Sequence, residues 1–561
     1  MISRVGLLLE SLIQPAWVYA TIQRLTNDAG VSIALVVLAE GRAAPATLGT
    51  RLRRVAEYGL LEAFEKLDEL MFARPPDPFA THEALPLLEG VPMIATELHP
   101  GPGGRGLPAQ DLDAIRSAHL DALLYFGEDT LFSGGIRSSA QQGLWFFRIG
   151  SPPPYEGARS GFWEALAGEM TATAALLAVS DRGMEELSKS VTAVDPVSAA
   201  RTRDTVYWTS TSLPERALKR IRAGKGTDQP ARPVPPIRPD MDPWTPDTPA
   251  EGANRRLVRH LPRYLALVGR KSLRSYLGDV QWFLTYTWAD QGIVPSLRGS
   301  QRIVPPPDRF WADPQVVRRG DQYFVFVEEL VYSEKRGRIA VLVLDKSGVV
   351  DGPLTVLERP YHLSYPFVFE HEDALYMVPE TSEHRTVELY RCVEFPTRWE
   401  FVRELMENVT AFDTTLCLHN ERWWLFTAIC ETHGADRDSE LYLFSCEDPV
   451  NGEWRPHSGN PVVADARTAR PAGRIFEQDG KLLRPSQQTV PEYGYAIHVN
   501  EIVAMTDEEY AESPIGLLLP DWEDSLIGTH TLSRADDLTI VDAYRWRPRF
   551  ARGRSGSDRT V

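Results

Sequence analysis

Asp313 in FWADP, Glu380 in VPET and Asp413 in AFDTT come from three successive copies of one phrase in the second half of the chain. Carboxyl groups set on a repeating frame can be gathered at one mouth, where one holds a proton while another accepts one. Arg474, Arg484, Gln487 and His530 occupy comparable points of two later, weaker copies. They would supply charge and hydrogen-bond donors to sugar hydroxyls or a phosphate. Each residue also has a purely structural use. Aspartate at a strand start commonly makes a turn or cap. Glu380 suits a solvated loop, Arg484 an inter-blade bridge and His530 a hydrogen-bonded closure of the last repeat.

The copies dictate the frame that must hold these side chains. ADPQVVRRGDQYFVFVEE starts at Ala312, YPFVFEHEDALYMVPET at Tyr365 and DTTLCLHNERWWLFTA at Asp413. GRIFEQDGKLLRPSQ follows from Gly473 and GTHTLSRADDLTIVDAY from Gly528. Pro314, Pro366 and Thr414 open the first three copies, at separations of 52 and 48 residues. Self-similarity at that period points to a solenoid or propeller. Alternating Val, Phe, Tyr and Trp bounded by turn residues makes each unit a β-hairpin. Four strands per repeat fit the spacing, so a five-bladed β-propeller is expected over 279–548. Trp311, Trp423 and Trp424 offer sugar platforms, although aromatics at period two are mostly core. The fold itself hosts enzymes and binding platforms alike and leaves function open.

Composition narrows the partners. The chain has 561 residues, 43% hydrophobic and 24% charged, enough for several domains of an ordinary soluble type. A formal net charge of −17 argues against nucleic acid or an anionic membrane as the main partner. The four cysteines, Cys392, Cys417, Cys430 and Cys446, contain no CxxC pair and no adjoining His cluster. That excludes the usual zinc patterns and fits free thiols in a reducing compartment. The apolar run in MISRVGLLLESLIQPAW is short for a signal peptide and broken by Glu10, and no stretch approaches 18 apolar residues. A cytoplasmic protein without a transmembrane segment is expected.

The first half reads as an α/β Rossmann-like domain over 1–222. Short apolar runs at 5–9, 32–40, 91–96, 121–127 and 143–150 alternate with helical segments, which implies a mostly parallel sheet. After Gly183 the pattern turns helical. Residues 223–253 form a Pro-rich linker that cannot build a regular element. NRRLVRHLPRYLALVGRKSLRSYL, within 254–278, reads as a basic amphipathic helix, suited to docking on a neighbouring domain or lying on a membrane surface. Residues 549–561 are an expected disordered tail.

The run from Leu120 to Gly183 resembles the catalytic domain of folate-dependent formyltransferases. Gly157 to Trp163, Gly168-Glu169 and Asp181-Arg182-Gly183 follow that family's frame. Where the family carries its catalytic Asn and His, this chain has Phe146, Phe147, Arg148 and Ile149. Phenylalanine and isoleucine exchange no proton, and a permanently charged arginine is no general base. Arg148 and Asp181 therefore mark a degenerate site, expected to be inactive in formyl transfer.

The second half resembles the N-terminal domain of glucosamine inositolphosphorylceramide transferases. FWADP, YPFVFEHEDALYMVPET, AFDTTL, GRIFEQDGKLLRPSQ, the YGYAIHVNEI run and GTHTL carry the resemblance in order. More distantly, the pattern resembles five-bladed glycoside hydrolases, whose inner-strand carboxylates converge on the channel. Glycosidic cleavage needs one carboxyl as acid and another as base or nucleophile. The resemblance makes Asp313 the first candidate, with Glu380 and Asp413 beside it as catalytic groups. Arg474, Arg484, Gln487 and His530 are the substrate-binding candidates.

The expectation is a carbohydrate-active or carbohydrate-binding protein of glycan or glycolipid metabolism, with its site in the propeller channel. If it is an enzyme, the reaction is glycosyl transfer or glycoside hydrolysis. The alternatives are a non-catalytic scaffold for a glycan intermediate or partner enzyme, and an amino-sugar N-formyltransferase. No metal or cofactor is expected, 10-formyltetrahydrofolate entering only with an active N-terminal domain. The expected partner is a sugar or glycolipid, with peripheral membrane contact as an option and no nucleic acid.

Overall fold

A computed structural model describes residues 2–40, 48–101, 104–126, 134–150, 161–224, 253–288 and 292–548. The Pro-rich stretch 225–252, the tail 549–561 and residues 157–160 of the formyltransferase-like phrase lie outside the described residues. The chain divides into two compact units. One comprises Met1–Val268 with Thr432–Asp436, and the other Gly269–Glu431 with Arg437–Val561.

The first unit is built on a seven-stranded sheet. Met93–Glu97, Val31–Glu40, Ser3–Leu9, Ala122–Tyr125 and Leu144–Ile149 lie in that order and pair in parallel. Leu7, Leu8, Val36, Val37, Leu123 and Leu124 are buried on both faces of the sheet, as continuous apolar strands require. One part of the expectation is corrected here. Thr171–Ser180 and Gly183–Ala193 form an antiparallel hairpin added at the Leu144–Ile149 edge, and the helix begins only at Ala199. The stretch from Gly183, GMEELSKSVTA, favours helix by its Met, Glu, Leu and Lys. Yet it pairs along its length with Thr171–Ser180, whose completely buried Ala172, Ala174 and Ala175 seat that strand in the core, so tertiary pairing overrides the local preference.

The second unit is a five-bladed propeller. The first blade runs Arg309–Arg319, Gln322–Val331, Gly337–Asp345, Gly348–Leu357, and the second Ser364–His371, Ala374–Thr381, Thr386–Glu394, Arg398–Glu407. The third runs Ala411–His419, Arg422–Ile429, Leu441–Cys446, Arg455–Pro456, and the fourth Phe476–Gln478, Lys481–Gln488, Ala496–Met505, Tyr510–Leu518. The fifth is composite. Gly278–Trp288 pairs along its whole length with Leu538–Pro548, from Gly278 opposite Pro548 to Trp288 opposite Leu538. Leu526–Gly528 and Leu532–Ala535 cover the other edge of Leu538–Pro548. Pairing a strand from the start of the unit with one from its end closes the ring and removes two open sheet edges. Apolar clusters between successive blades fill the ring, for example Phe369, Trp423 and Leu425 between the second and third.

Candidate functional site

The first strands of blades one, two and three share one irregularity. Their pairing with the second strand skips two residues, between Ala312 and Gln315, Ser364 and Phe367, and Phe412 and Thr415. The first skipped residue in each case has a positive φ: Asp313 at 54°, Tyr365 at 39° and Asp413 at 52°. Aspartate tolerates this left-handed region through local hydrogen bonding, whereas for tyrosine it is strained. The same left-handed turn thus recurs at one point of three blades. Each bulge re-aims one side chain out of the ladder and across to other blades.

Those three side chains stitch the ring together. Thr531 of the fifth blade donates to Asp313 Oδ1 at 2.8 Å, and the Tyr365 amide donates to Asp313 Oδ2 at 3.2 Å. The Tyr365 hydroxyl lies 2.8 Å from Thr415 Oγ1 and accepts from the Gly473 amide at 2.7 Å, reaching blades three and four. Asp413 Oδ2 accepts from Arg470 Nε at 2.5 Å and from Gln487 Nε2 at 2.6 Å. Gly473 must be glycine. Its φ is 126°, and a Cβ would lie 1.9 Å from the Leu532 carbonyl oxygen.

Two cations complete the layer. His530 donates from Nδ1 to Asp542 Oδ2 at 2.6 Å, with Nε2 3.8 Å from Asp313 Oδ1. Asp542 also accepts from the amides of Asp313, His530 and Thr531. Arg470 spans three carboxylates: Asp413, Asp438 at 2.7 Å and Glu380 at 3.5 Å. Glu380 Oε2 accepts from the Asp413 amide at 3.3 Å, and Ser382 donates to its other oxygen. Glu328 is the counterpart of Glu380 in the first blade, opposite Ala312 as Glu380 is opposite Ser364, and it pairs with His362 Nε2 at 3.1 Å.

Burial sets the protonation of these groups. It pushes the Asp313 carboxyl up to about 7; His530 opposes the shift, while Asp413, Glu328 and Asp542 add to it. Burial also raises Asp413 to about 7, against the pull of Arg470 and with the push of Glu380. For His530 burial disfavours the imidazolium, but Asp542 and Asp313 outweigh it and hold the ring cationic up to about 9. Near neutral pH, then, two aspartates of successive odd blades stand between acid and base forms beside a fixed imidazolium and guanidinium. Aromatic surfaces frame them. Trp282 stacks on His530 at 4.2 Å, and the half-exposed Tyr493 meets His530 edge-on at 5.4 Å with the Arg470 guanidinium 5.0 Å from its ring centroid.

Asp313, Glu380, Asp413, Gln487 and His530 are thus gathered in one hydrogen-bonded layer. The other expected residues are elsewhere. Arg474 donates to the Val368 carbonyl and lies over the Phe367 ring, 5.0 Å from its centroid. Arg484 is enclosed in its own blade, paired with Glu512 at 2.6 Å and donating to the Thr468 carbonyl at 2.7 Å. In the first unit, Arg148 pairs with Glu186 at 3.0 Å. Arg148 is opposite Ala175, whereas Asp181 is in the turn six residues further along that strand, roughly 20 Å away. Trp311, Trp423 and Trp424 are buried between strands. The sequence reading missed Arg470, Asp542, Glu328, Trp282 and Tyr493. Equivalence to Glu380 in VPET could have found Glu328 in VEE, and Asp542 lies within the fifth copy, in VDAY; Arg470 and Trp282 lie outside every copy.

Asp313, His530 and Asp542 place ligand-type atoms within 4.8 Å of one another, as does the set His384, Glu388 and Glu404. In the first set His530 is engaged with Asp542 through Nδ1, and Nε2 faces Asp313. In the second, Glu388 accepts from the Tyr361 hydroxyl at 2.8 Å and lies 3.0 Å from His384 Nδ1. Burial pushes the Cys417 and Cys446 thiols up to about 12.

Residues 299–527 match the family described as "Glucosamine inositolphosphorylceramide transferase 1, N-terminal". Glucosamine inositolphosphorylceramide transferase 1 of Oryza sativa subsp. japonica is 34% identical over 214 residues, which cover 38% of this chain and 28% of the rice protein. The chain therefore spans under a third of that relative. Among solved structures, a family 117 glycoside hydrolase from Zobellia galactanivorans matches with a TM-score of 0.32 and 8% identity, over 47% of this chain and 90% of that one. A phosphoribosylglycinamide formyltransferase from Anaplasma phagocytophilum matches with a TM-score of 0.26 and 14% identity, over 40% and 89%.

Proposed function

We propose that the polar layer of the propeller is a carbohydrate site, in which Asp313 and Asp413 share acid and base roles at a glycosidic bond. The observation that carries this reading is the pair itself: two buried aspartates at equivalent left-handed positions, both raised by burial to about 7, with Asp413 adding to the rise of Asp313. An acid and a base with pKa values near the working pH are what cleavage or transfer of a glycosyl group requires. His530 and Arg470 stabilise the charge left on the carboxylates. The half-exposed Tyr493 offers a ring to a sugar. The names of the matched relatives, which include glucosamine and inositolphosphorylceramide, support a sugar or glycolipid ligand.

A second reading is a scaffold that binds a glycan without turning it over. One observation favours it. Arg470 brackets Asp413, Glu380 and Asp438 in a nearly closed ion-pair cluster, which holds the acids in place rather than leaving them open.

For the first unit we propose a formyltransferase-type fold that does not transfer formyl groups. Arg148, at the position of the family's catalytic pair, is committed to Glu186, and Asp181 is far from it along the sheet. The free cysteines support the cytoplasm as its location.

The test is a thermal-shift screen of the full chain against nucleotide sugars, amino sugars, inositol phosphates and 10-formyltetrahydrofolate analogues. A ligand at about 100 times its Kd stabilises the native state by about 2.7 kcal/mol, a shift of several degrees. The expected result is a sugar-class hit lost in Asp313→Asn and Asp413→Asn, with turnover of that ligand by the wild type. Binding kept in the asparagine variants without turnover in any form would leave the scaffold reading. A hit by the folate analogues alone would reject both.

A further inference from the structure

The two outer strands of the second blade set two carboxylates face to face. Glu388, in Thr386–Glu394, is directly opposite Glu404, in Arg398–Glu407. His384, in the turn Ser382–His384, completes the group: its Nδ1, an oxygen of Glu388 and an oxygen of Glu404 all lie within 4.8 Å of one another. Like charges directly opposite on neighbouring strands repel. The surrounding arginines do not relieve them. Arg359 donates to the Tyr390 hydroxyl and the Glu358 carbonyl, Arg385 to the Asn408 carbonyl, and Arg403 to the carbonyls of Glu404, Val450 and Gly452. Among the described residues no side chain donates to the Glu404 carboxylate. Glu388 and His384, by contrast, are held firmly. The Tyr361 hydroxyl donates to both oxygens of Glu388, at 2.8 and 2.9 Å, and Tyr390 and Thr386 donate to it as well. The Tyr361 ring also stacks on the His384 imidazole, 4.4 Å away and parallel to within 1°, and Nδ1 of that imidazole lies 3.0 Å from Glu388 Oε1.

We propose that His384, Glu388 and Glu404 form a site for a divalent ion of the zinc class. An imidazole nitrogen and carboxylate oxygens are donors such an ion takes, at about 2.0–2.2 Å. Ligand atoms bound at that length stand about 3.0–3.5 Å apart, a spacing His384 and Glu388 already have. A side-chain shift of at most about 2 Å brings the half-buried Glu404 into the same range. The dication cancels the repulsion between the two carboxylates. Tyr361, Tyr390 and Thr386 are the outer donors that orient a ligating carboxylate, and the stacked Tyr361 ring orients the imidazole. The imidazole favours zinc over magnesium or calcium, which prefer oxygen alone. The Glu388 side chain is 3% exposed and that of His384 50%, so the ion enters from the His384 side and keeps a position open to solvent. Bound there, it fixes the turn Ser382–His384, whose Ser382 donates to Glu380 of the polar layer at 2.7 Å. The site stands whether or not that layer handles a sugar.

The experiment is calorimetric titration of the full chain, first stripped of metal with EDTA, with zinc chloride, followed by melting of the same samples. The wild type is expected to bind an equivalent of zinc here and to melt higher with it, because a ligand of the native state stabilises that state. His384→Ala and Glu404→Gln each remove a ligand and should abolish that equivalent together with its shift in melting temperature. Tyr361→Phe removes a donor behind Glu388 and should weaken binding about 10- to 100-fold. Magnesium in excess should not displace the zinc. Without metal, Glu404→Gln should melt no lower than wild type, because it removes one of two repelling charges. No stoichiometric zinc binding would overturn the proposal. So would an equivalent that both ligand variants retain, which would place the ion elsewhere, or displacement of zinc by magnesium. A metal-free Glu404→Gln that melts lower than metal-free wild type would likewise overturn it, by showing that Glu404 already has a structural partner.

Discussion

Replacing Arg470 by leucine is expected to destabilise the propeller by about 3–5 kcal/mol at pH 8, the cost of leaving buried charges without their partner. The guanidinium holds Asp413 at 2.5 Å, Asp438 at 2.7 Å and Glu380 at 3.5 Å, and only 9% of its own side chain is exposed. Leucine fills much of the volume but satisfies none of the three. The cation also opposes protonation of Asp413, so its loss moves that carboxyl above its present value of about 7. Protonation then relieves part of the repulsion, and the deficit should be smaller at pH 5 than at pH 8. Adding Asp413→Asn to Arg470→Leu should recover part of the loss at pH 8, because one of the unpaired charges is removed. Denaturant unfolding of the single and double variants measures all three quantities. A change below about 1 kcal/mol, or one independent of pH, would show that Arg470 is not what holds the acids together.

The second large effect is a fall in stability at alkaline pH that passes through His530. Its folded pKa of about 9 exceeds the ordinary 6.5, so the stability it contributes is fully present below 6.5 and is lost as pH rises through 9. The difference corresponds to about 3 kcal/mol. Asp313 acts in the same direction at lower pH. Its carboxyl is raised from 3.8 to about 7, so its contribution is present below 3.8 and disappears as pH climbs through 7. His530→Gln should therefore be less stable than wild type at pH 6, with the gap narrowing by about 3 kcal/mol toward pH 10. Glutamine also removes the cation that opposes protonation of Asp313, so that residue should titrate higher still. A wild-type and variant pair whose stabilities run parallel between pH 6 and 10 would mean that the imidazole is neutral throughout.

How much of this was legible in the sequence depends on which residues lie inside the repeats. The blades were, because aromatic and β-branched side chains at period two and turn residues at regular intervals are local signals. Asp313 and Asp413 were found because they head equivalent copies. Tyr365, the third member of that position, was hidden by being apolar in type, although Pro366 behind it marked the same bulge. Arg470 lies in the irregular run between Cys446 and Phe476, outside any copy, and reaches the layer only through the ring's closure. Asp542 faces the axis from Leu538–Pro548, a strand whose place beside Gly278–Trp288 is set by pairing across some 260 residues. Asp542 does lie within the fifth copy, but its pairing with Gly278–Trp288 has no local signal. The strand Gly183–Ala193 shows the opposite failure: its Met, Glu, Leu and Lys carry a local preference for helix, and pairing with Thr171–Ser180 overrides it.

The carboxyl titration of Asp313 and Asp413 tests the central claim most directly. Protein labelled with carbon-13 at the aspartate carboxyls can be followed by NMR from pH 4 to 9, in wild type and in Asp313→Asn and Asp413→Asn. The account predicts two carboxyl resonances that titrate near 7, each disappearing in one variant, with the midpoint of Asp313 falling in Asp413→Asn because Asp413 raises it. If every aspartate carboxyl finishes titrating below about pH 5, the two residues are ordinary structural carboxylates, and an acid–base site in the propeller is ruled out.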